Sequence, residues 1–152
     1  MMAALAFYHL TRSSVDEALP MLLQKTLQAD KRALVCCQSQ QKDQISSAVW
    51  SFGEASWMPH GVAGKDDDDA DLCPIWICDN PSNNANNSQF VFFVNGITPQ
   101  SFDDKERVFV LFDGNDTGAL ETARRQWKDL RDAGHDLSYW QQDDAGRWSQ
   151  SA

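Results

Sequence analysis

The chain has 152 residues, with 22 Asp and Glu against 13 Lys and Arg and a formal net charge of -9 at pH 7. That length suits one domain, residues 1–152, and 42% hydrophobic residues supply a core, which excludes global disorder. The acidic balance excludes the average surface as a platform for duplex DNA or an anionic membrane, both of which need cationic charge. The opening stretch MMAALAFYHL has no basic leader and is too short for a membrane span, so neither a signal peptide nor a membrane anchor is expected.

LAFYHL (Leu5 to Leu10) predicts a first strand. TRSSVDEAL follows with Ser14 as an N-cap; Pro20 is expected to kink or restart this helix, whose apolar face is Leu19, Leu22, Leu23 and Leu27, ending near Ala29. RALVCC predicts a buried second strand, and QQKDQISSAVWSF (Gln40 to Phe52) a second helix. The next stretch, GEASWMPHGVAGKDDDDADLCP, is expected to be irregular from its glycines and prolines, with residues 61–73 an acidic irregular loop and Asp66 to Asp69 a solvated charge run. IWICD predicts a third strand, and NPSNNANNSQ a turn segment. FVFFVNG and RVFVLFDG are almost continuously apolar, which predicts strands buried on both faces. A last helix spans roughly Thr117 to Ala133 and is ended by Gly134, and HDLSYWQQ adds a final strand. Strands that alternate with helices at both ends predict an α/β fold: a single domain with a mostly parallel, mixed sheet covered by helices on both faces, Rossmann-like without the nucleotide-binding motif.

Motifs for chemistry are few. HGVAGKD fails as a phosphate loop because Gly61 and Gly64 are too close and Asp66 follows Lys65. No Gly-x-Gly-x-x-Gly follows the first strand. The four cysteines, Cys36, Cys37, Cys73 and Cys78, form neither a disulfide framework nor a zinc spacing, and are read as thiols in a reducing, cytoplasmic setting. His9, His60 and His135 lie on separate segments and read as structural or surface residues. Asp103, Asp104, Asp113 and Asp116 fit turns and helix starts better than a metal cluster.

The last helix is different. At about 100° per residue, Ala123, Trp127 and Leu130 share a stripe with Leu120, and Arg124, Lys128 and Arg131 line its border. Of these three cations only Lys128 has an acid at i±4, Asp132. A basic rim beside an aromatic edge suits an apolar peptide that carries carboxylates. A second patch, VWSFGEASWMPHG, crowds Trp50, Phe52, Trp57 and Met58 around a helix end; six tryptophans in the chain are more than a core of this size requires.

FYHL, LPMLLQKTL then RALV, VWSF then SWMPHG, CPIWICDNP, FVFFVNG, ERVFVLFDG and ARRQWKDLRDAGHDLSYWQQ, in that order and spacing, resemble the chi subunit family of bacterial DNA polymerase III, part of the clamp-loader assembly. The resemblance covers nearly the whole chain. It implies a non-catalytic α/β adaptor without cofactor or metal. Such an adaptor binds the acidic C-terminal tail of single-stranded DNA-binding protein, which ends in an apolar Pro-Phe carboxylate, and also the psi subunit, so that it meets DNA only indirectly. Carried over by position, the tail site falls on Arg124, Trp127 and Lys128, with Arg131 added from helix geometry. The psi-facing patch is Trp50, Trp57, Pro59 and His60, and its occupant is psi or an equivalent clamp-loader or helicase partner. The aspartate run, the cluster Asn83 to Asn87, and Cys73 where glutamine is expected depart from the pattern and sit away from the tail site. A rival reading, a nucleotide- or metal-binding enzyme using the crevice near Asp113 with Asp113 and Asp116 as ligands, stays open at this point.

Overall fold

A computed structural model describes residues 4–52, 58–80, 82, 84–100, 102–143 and 145–151. Its strands are β1 (Ala4–Leu10), β2 (Ala33–Cys36), β3 (His60–Val62), β4 (Ile75–Cys78), β5 (Phe90–Val94), β6 (Arg107–Asp113), β7 (Asp136–Gln142) and β8 (Trp148–Gln150). They form one sheet in the order β3-β4-β2-β5-β6-β1-β7-β8. Every pairing is parallel except β7 with β8. The helices are α1 (Val15–Gln28), α2 (Lys42–Trp50) and α3 (Thr117–Asp132).

Successive side chains on a strand point to opposite faces, so each central strand supplies two layers. On one face Ala6, Val35, Ile77, Phe92 and Leu111 meet Leu19 and Leu23 of α1 and Ile45 and Val49 of α2. On the other, Leu5, Leu34, Trp76, Val91 and Val108 form one cluster, and Phe7, Val110 and Phe112 join Ala123 of α3 in another. Helices therefore cover both faces, as the strand–helix alternation predicts. Double coverage explains why β5 is buried at all five positions and β6 at all but its two ends.

Local chemistry sets the helix ends. Ser14 and Glu17 form a reciprocal capping box at α1. Asp116 caps α3 through the Ala119 N–H at 3.2 Å. Gly134, with φ +89°, follows the last turn of α3 in the left-handed conformation that glycine adopts without strain. The adjacent thiols separate as strand geometry demands, Cys36 joining the α3-side clusters and Cys37 the α1-side one, and all four cysteines are free.

Three expectations need correction. Pro20 does not divide α1, which stays one helix. The carbonyl it leaves without a helical N–H is that of Asp16, in a first turn accessible to water, so the usual cost of an interior proline is reduced. Residues 61–73 are not an irregular loop. Gly61 and Val62 belong to β3, and the acidic run continues into 3-10 turns over Asp67–Leu72. Asp66 and Asp67 accept hydrogen bonds from the N–H groups of Val62 and Gly64, both at 2.9 Å, and Ala70 is buried beneath them. Gly61 tolerates no Cβ, which would lie 2.6 Å from the Trp76 ring and 2.8 Å from the Cys73 sulfur. Finally, β8 extends the sheet past the expected last strand.

The asparagine-rich turn contains one interior residue. Asn86 is fully buried and donates from Nδ2 to the carbonyls of Ala33 (3.2 Å) and Cys73 (2.9 Å), while the Ser88 hydroxyl donates to its Oδ1. It ties the entry of β2 to that of β4. Asn86→Ala removes the donor from the buried Ala33 carbonyl and the part-buried Cys73 carbonyl, and is expected to cost about 1–3 kcal/mol in urea denaturation. Asn83 lies outside the described residues.

Candidate functional site

Helix α3 lies over β6, β1 and β7 with Ala123 buried and Leu120, Trp127 and Leu130 packed on the sheet. Trp127 is held by two edge contacts, with Phe7 of β1 and Tyr139 of β7, each with ring centroids 5.5 Å apart. Arg124, Lys128 and Arg131 project along the β7 side of the helix and stay exposed. Together with Trp127, Tyr139 and Gln141 they line a groove of about 450 Å³. The four helical residues expected from the sequence thus meet in one place.

The groove is electrostatically open. Arg131 reaches Asp132 at 3.4 Å, and among the described residues neither Arg124 nor Lys128 makes an ion pair. Arg124 acts instead on two polar rings of the groove floor. His9 Nδ1 lies 2.9 Å from the Tyr139 hydroxyl and 3.3 Å from Gln141 Nε2. Burial lowers the His9 pKa; a backbone hydrogen bond at Gly114 opposes this, and the Arg124 charge adds to the lowering. Burial raises the Tyr139 pKa and Arg124 pulls it down. Gly114 makes room for the imidazole, since a Cβ there would collide with it.

Sequence reasoning missed His9, Tyr139 and Gln141. Alternation within LAFYHL and DLSYWQQ does place Leu5, Phe7 and His9 on one face, and Leu137, Tyr139 and Gln141 on one face. What alternation omits is that β7 neighbours β1 and that α3 covers this face.

The second patch sits at the free edge strand β3. Trp50, at the end of α2, is 50% exposed and lies over the His60 ring with centroids 4.4 Å apart. His60 Nδ1 donates to the Met58 carbonyl at 2.9 Å, and its Nε2 lies 2.8 Å from the Ser46 hydroxyl. Pro59 is half-buried beside them in sequence, and Trp57 lies outside the described residues.

At the crevice of the rival reading, Asp113 accepts from the Asn115 N–H at 2.9 Å, and Asp116 is spent on the α3 cap. The N-termini of α1 and α3, where a phosphate would dock, carry their own caps, and Asp16, Asp113 and Asp116 line the adjoining clefts. No group of three or more His, Cys, Asp or Glu side chains with metal-binding geometry occurs among the described residues.

A doubly covered, mostly parallel sheet carrying a basic aromatic groove defines a single-sheet α/β protein. More particularly, the chain belongs to the family of the DNA polymerase III chi subunit, HolC, whose family model matches residues 2–138. That family consists of accessory, non-catalytic subunits of the polymerase complex, which gives the chain an accessory role in DNA replication. No curated protein matches the chain. No helix among the described residues is long and apolar enough to cross a membrane.

Proposed function

We propose that the chain is a cytoplasmic adaptor that tethers the polymerase III clamp loader to coated single-stranded DNA. The α3 groove takes the acidic C-terminal tail of single-stranded DNA-binding protein. Arg124, Lys128 and Arg131 meet its carboxylates, and Trp127 borders the seat of its terminal phenylalanine. The Trp50 and His60 patch, with Pro59 and Trp57, takes psi or an equivalent clamp-loader or helicase partner, so contact with DNA is indirect. One observation carries the reading: on a chain of charge -9, three cations and two aromatic rings line a single groove. Exposed charge pairs contribute only about 0.2–1 kcal/mol each, so affinity is set at the micromolar level and falls with salt.

Calorimetric titration with an acidic peptide ending in Pro-Phe tests this. Binding at about 1–10 μM that weakens at least about tenfold when the final phenylalanine is removed is the expected outcome. Equal heats from both peptides, or none at low salt, would remove the tail from this groove.

A further inference from the structure

We propose that Tyr139 is a ligand-contacting residue of the α3 groove, and that His9 beneath it switches the Tyr139 hydroxyl from acceptor to donor, so that the groove holds an anionic peptide more tightly as pH falls. The proposal rests on the groove reading above and adds its floor. Tyr139 and Gln141 lie beyond residues 2–138, where the family match ends.

The hydrogen bonds dictate the switch. The Nε2 side of His9 faces Gly114, where a Cβ would collide with it, and the ring bonds the backbone there. The Gln141 amide nitrogen beside Nδ1 can only donate, which keeps the proton of a neutral ring on Nε2 and leaves Nδ1 a lone pair. Nδ1 then accepts from the Tyr139 hydroxyl at 2.9 Å and from the Gln141 amide at 3.3 Å. In this state the Tyr139 proton points inward, and its oxygen offers the groove only lone pairs, which a carboxylate avoids. Protonated His9 donates from Nδ1 instead. The Tyr139 oxygen accepts this bond, and its own O–H is released toward the groove as a donor.

Charge works in the same direction. The groups that face His9 are Arg124 from α3, Tyr139 and Gln141 from β7, and the Phe112 ring and Gly114 backbone at the end of β6. Among the described residues, Arg124 is the only charged one. An anion in the groove offsets its repulsion of a charged imidazole and gains a donor from Tyr139. Binding therefore takes up a proton, and by linkage the affinity rises as pH falls through the His9 transition. His9 sits below the ordinary histidine range in the free protein because burial opposes its charge, so the gain is confined to mildly acidic solution.

The test is calorimetry with the acidic Pro-Phe peptide at about pH 8 and about pH 5.5, each in two buffers of different ionisation enthalpy. Peptide carboxylates, with pKa values near 4, stay largely ionised throughout. The wild type is expected to bind about fivefold tighter at the lower pH with net proton uptake. Tyr139→Phe keeps the ring beside Trp127 and removes only the hydroxyl. Whatever its affinity at the higher pH, it should lose most of the gain on acidification. His135→Gln, at a histidine outside the groove lining, should retain the gain. A Tyr139→Phe protein with the full pH gain, or a wild type with none, overturns the proposal and leaves the groove reading standing. A wild type that fails to bind at either pH overturns both.

Discussion

Arg124→Glu combined with Lys128→Glu is expected to weaken binding of the acidic peptide by about tenfold or more. Each reversal replaces an attraction of about 0.2–1 kcal/mol with a repulsion of similar size, and the two positions are one turn apart on the same groove wall. Both side chains are exposed and neither makes an ion pair among the described residues, so reversal should leave folding stability within about 0.5 kcal/mol. Titrations at low and high salt separate this from a general loss of structure. Wild-type affinity should fall toward the mutant value as salt rises, because screening removes the interaction that the mutations remove. A double mutant that binds as the wild type does at low salt would dismiss the groove as the tail site.

The largest stability effect is expected at the centre of the sheet. Phe92 is fully buried in β5 and stacks on Phe109 of β6 with centroids 4.4 Å apart and planes 9° from parallel. Parallel strands flank it on both sides, and the α1 side closes over it, so the surroundings cannot collapse into a vacated ring. Phe92→Ala should cost about 3–5 kcal/mol, a large share of the roughly 5–15 kcal/mol that holds a domain of this size. The measurement is the urea midpoint at unchanged denaturant slope. Leu72 is the natural control. It is 72% exposed at the end of the acidic 3-10 turns, and Leu72→Ala should shift stability by no more than about 0.5 kcal/mol.

Much of this architecture was legible in the residue pattern. Continuous apolar runs such as FVFFV mark strands covered on both faces, and the strand–helix alternation forces a largely parallel sheet. The buried stripe and cationic rim of α3 follow from helical periodicity alone. Other features depend on distant pairing. HGV has too few residues and too much glycine to announce a strand, and it becomes β3 by hydrogen-bonding to β4. The aspartate run resembles a solvated loop because its internal capping bonds are invisible to composition. Asn86 reads as one more turn asparagine, although its amide joins two strand entries. Tyr139 belongs to the groove only because β7 packs against β1, a neighbour more than a hundred positions away.

The strand order has a geometric consequence. β3, beside Trp50 and His60, and β7, which carries Tyr139, are separated by six strand-to-strand steps. At about 4.8 Å per step the sheet holds the two patches about 29 Å apart. A hydrogen-bonded sheet is stiff at that distance, so the backbone ladder fixes the span between the two patches. If the proposed partners occupy the two patches, that span keeps them from overlapping, and a load on one passes to the other through the sheet rather than through a slack linker.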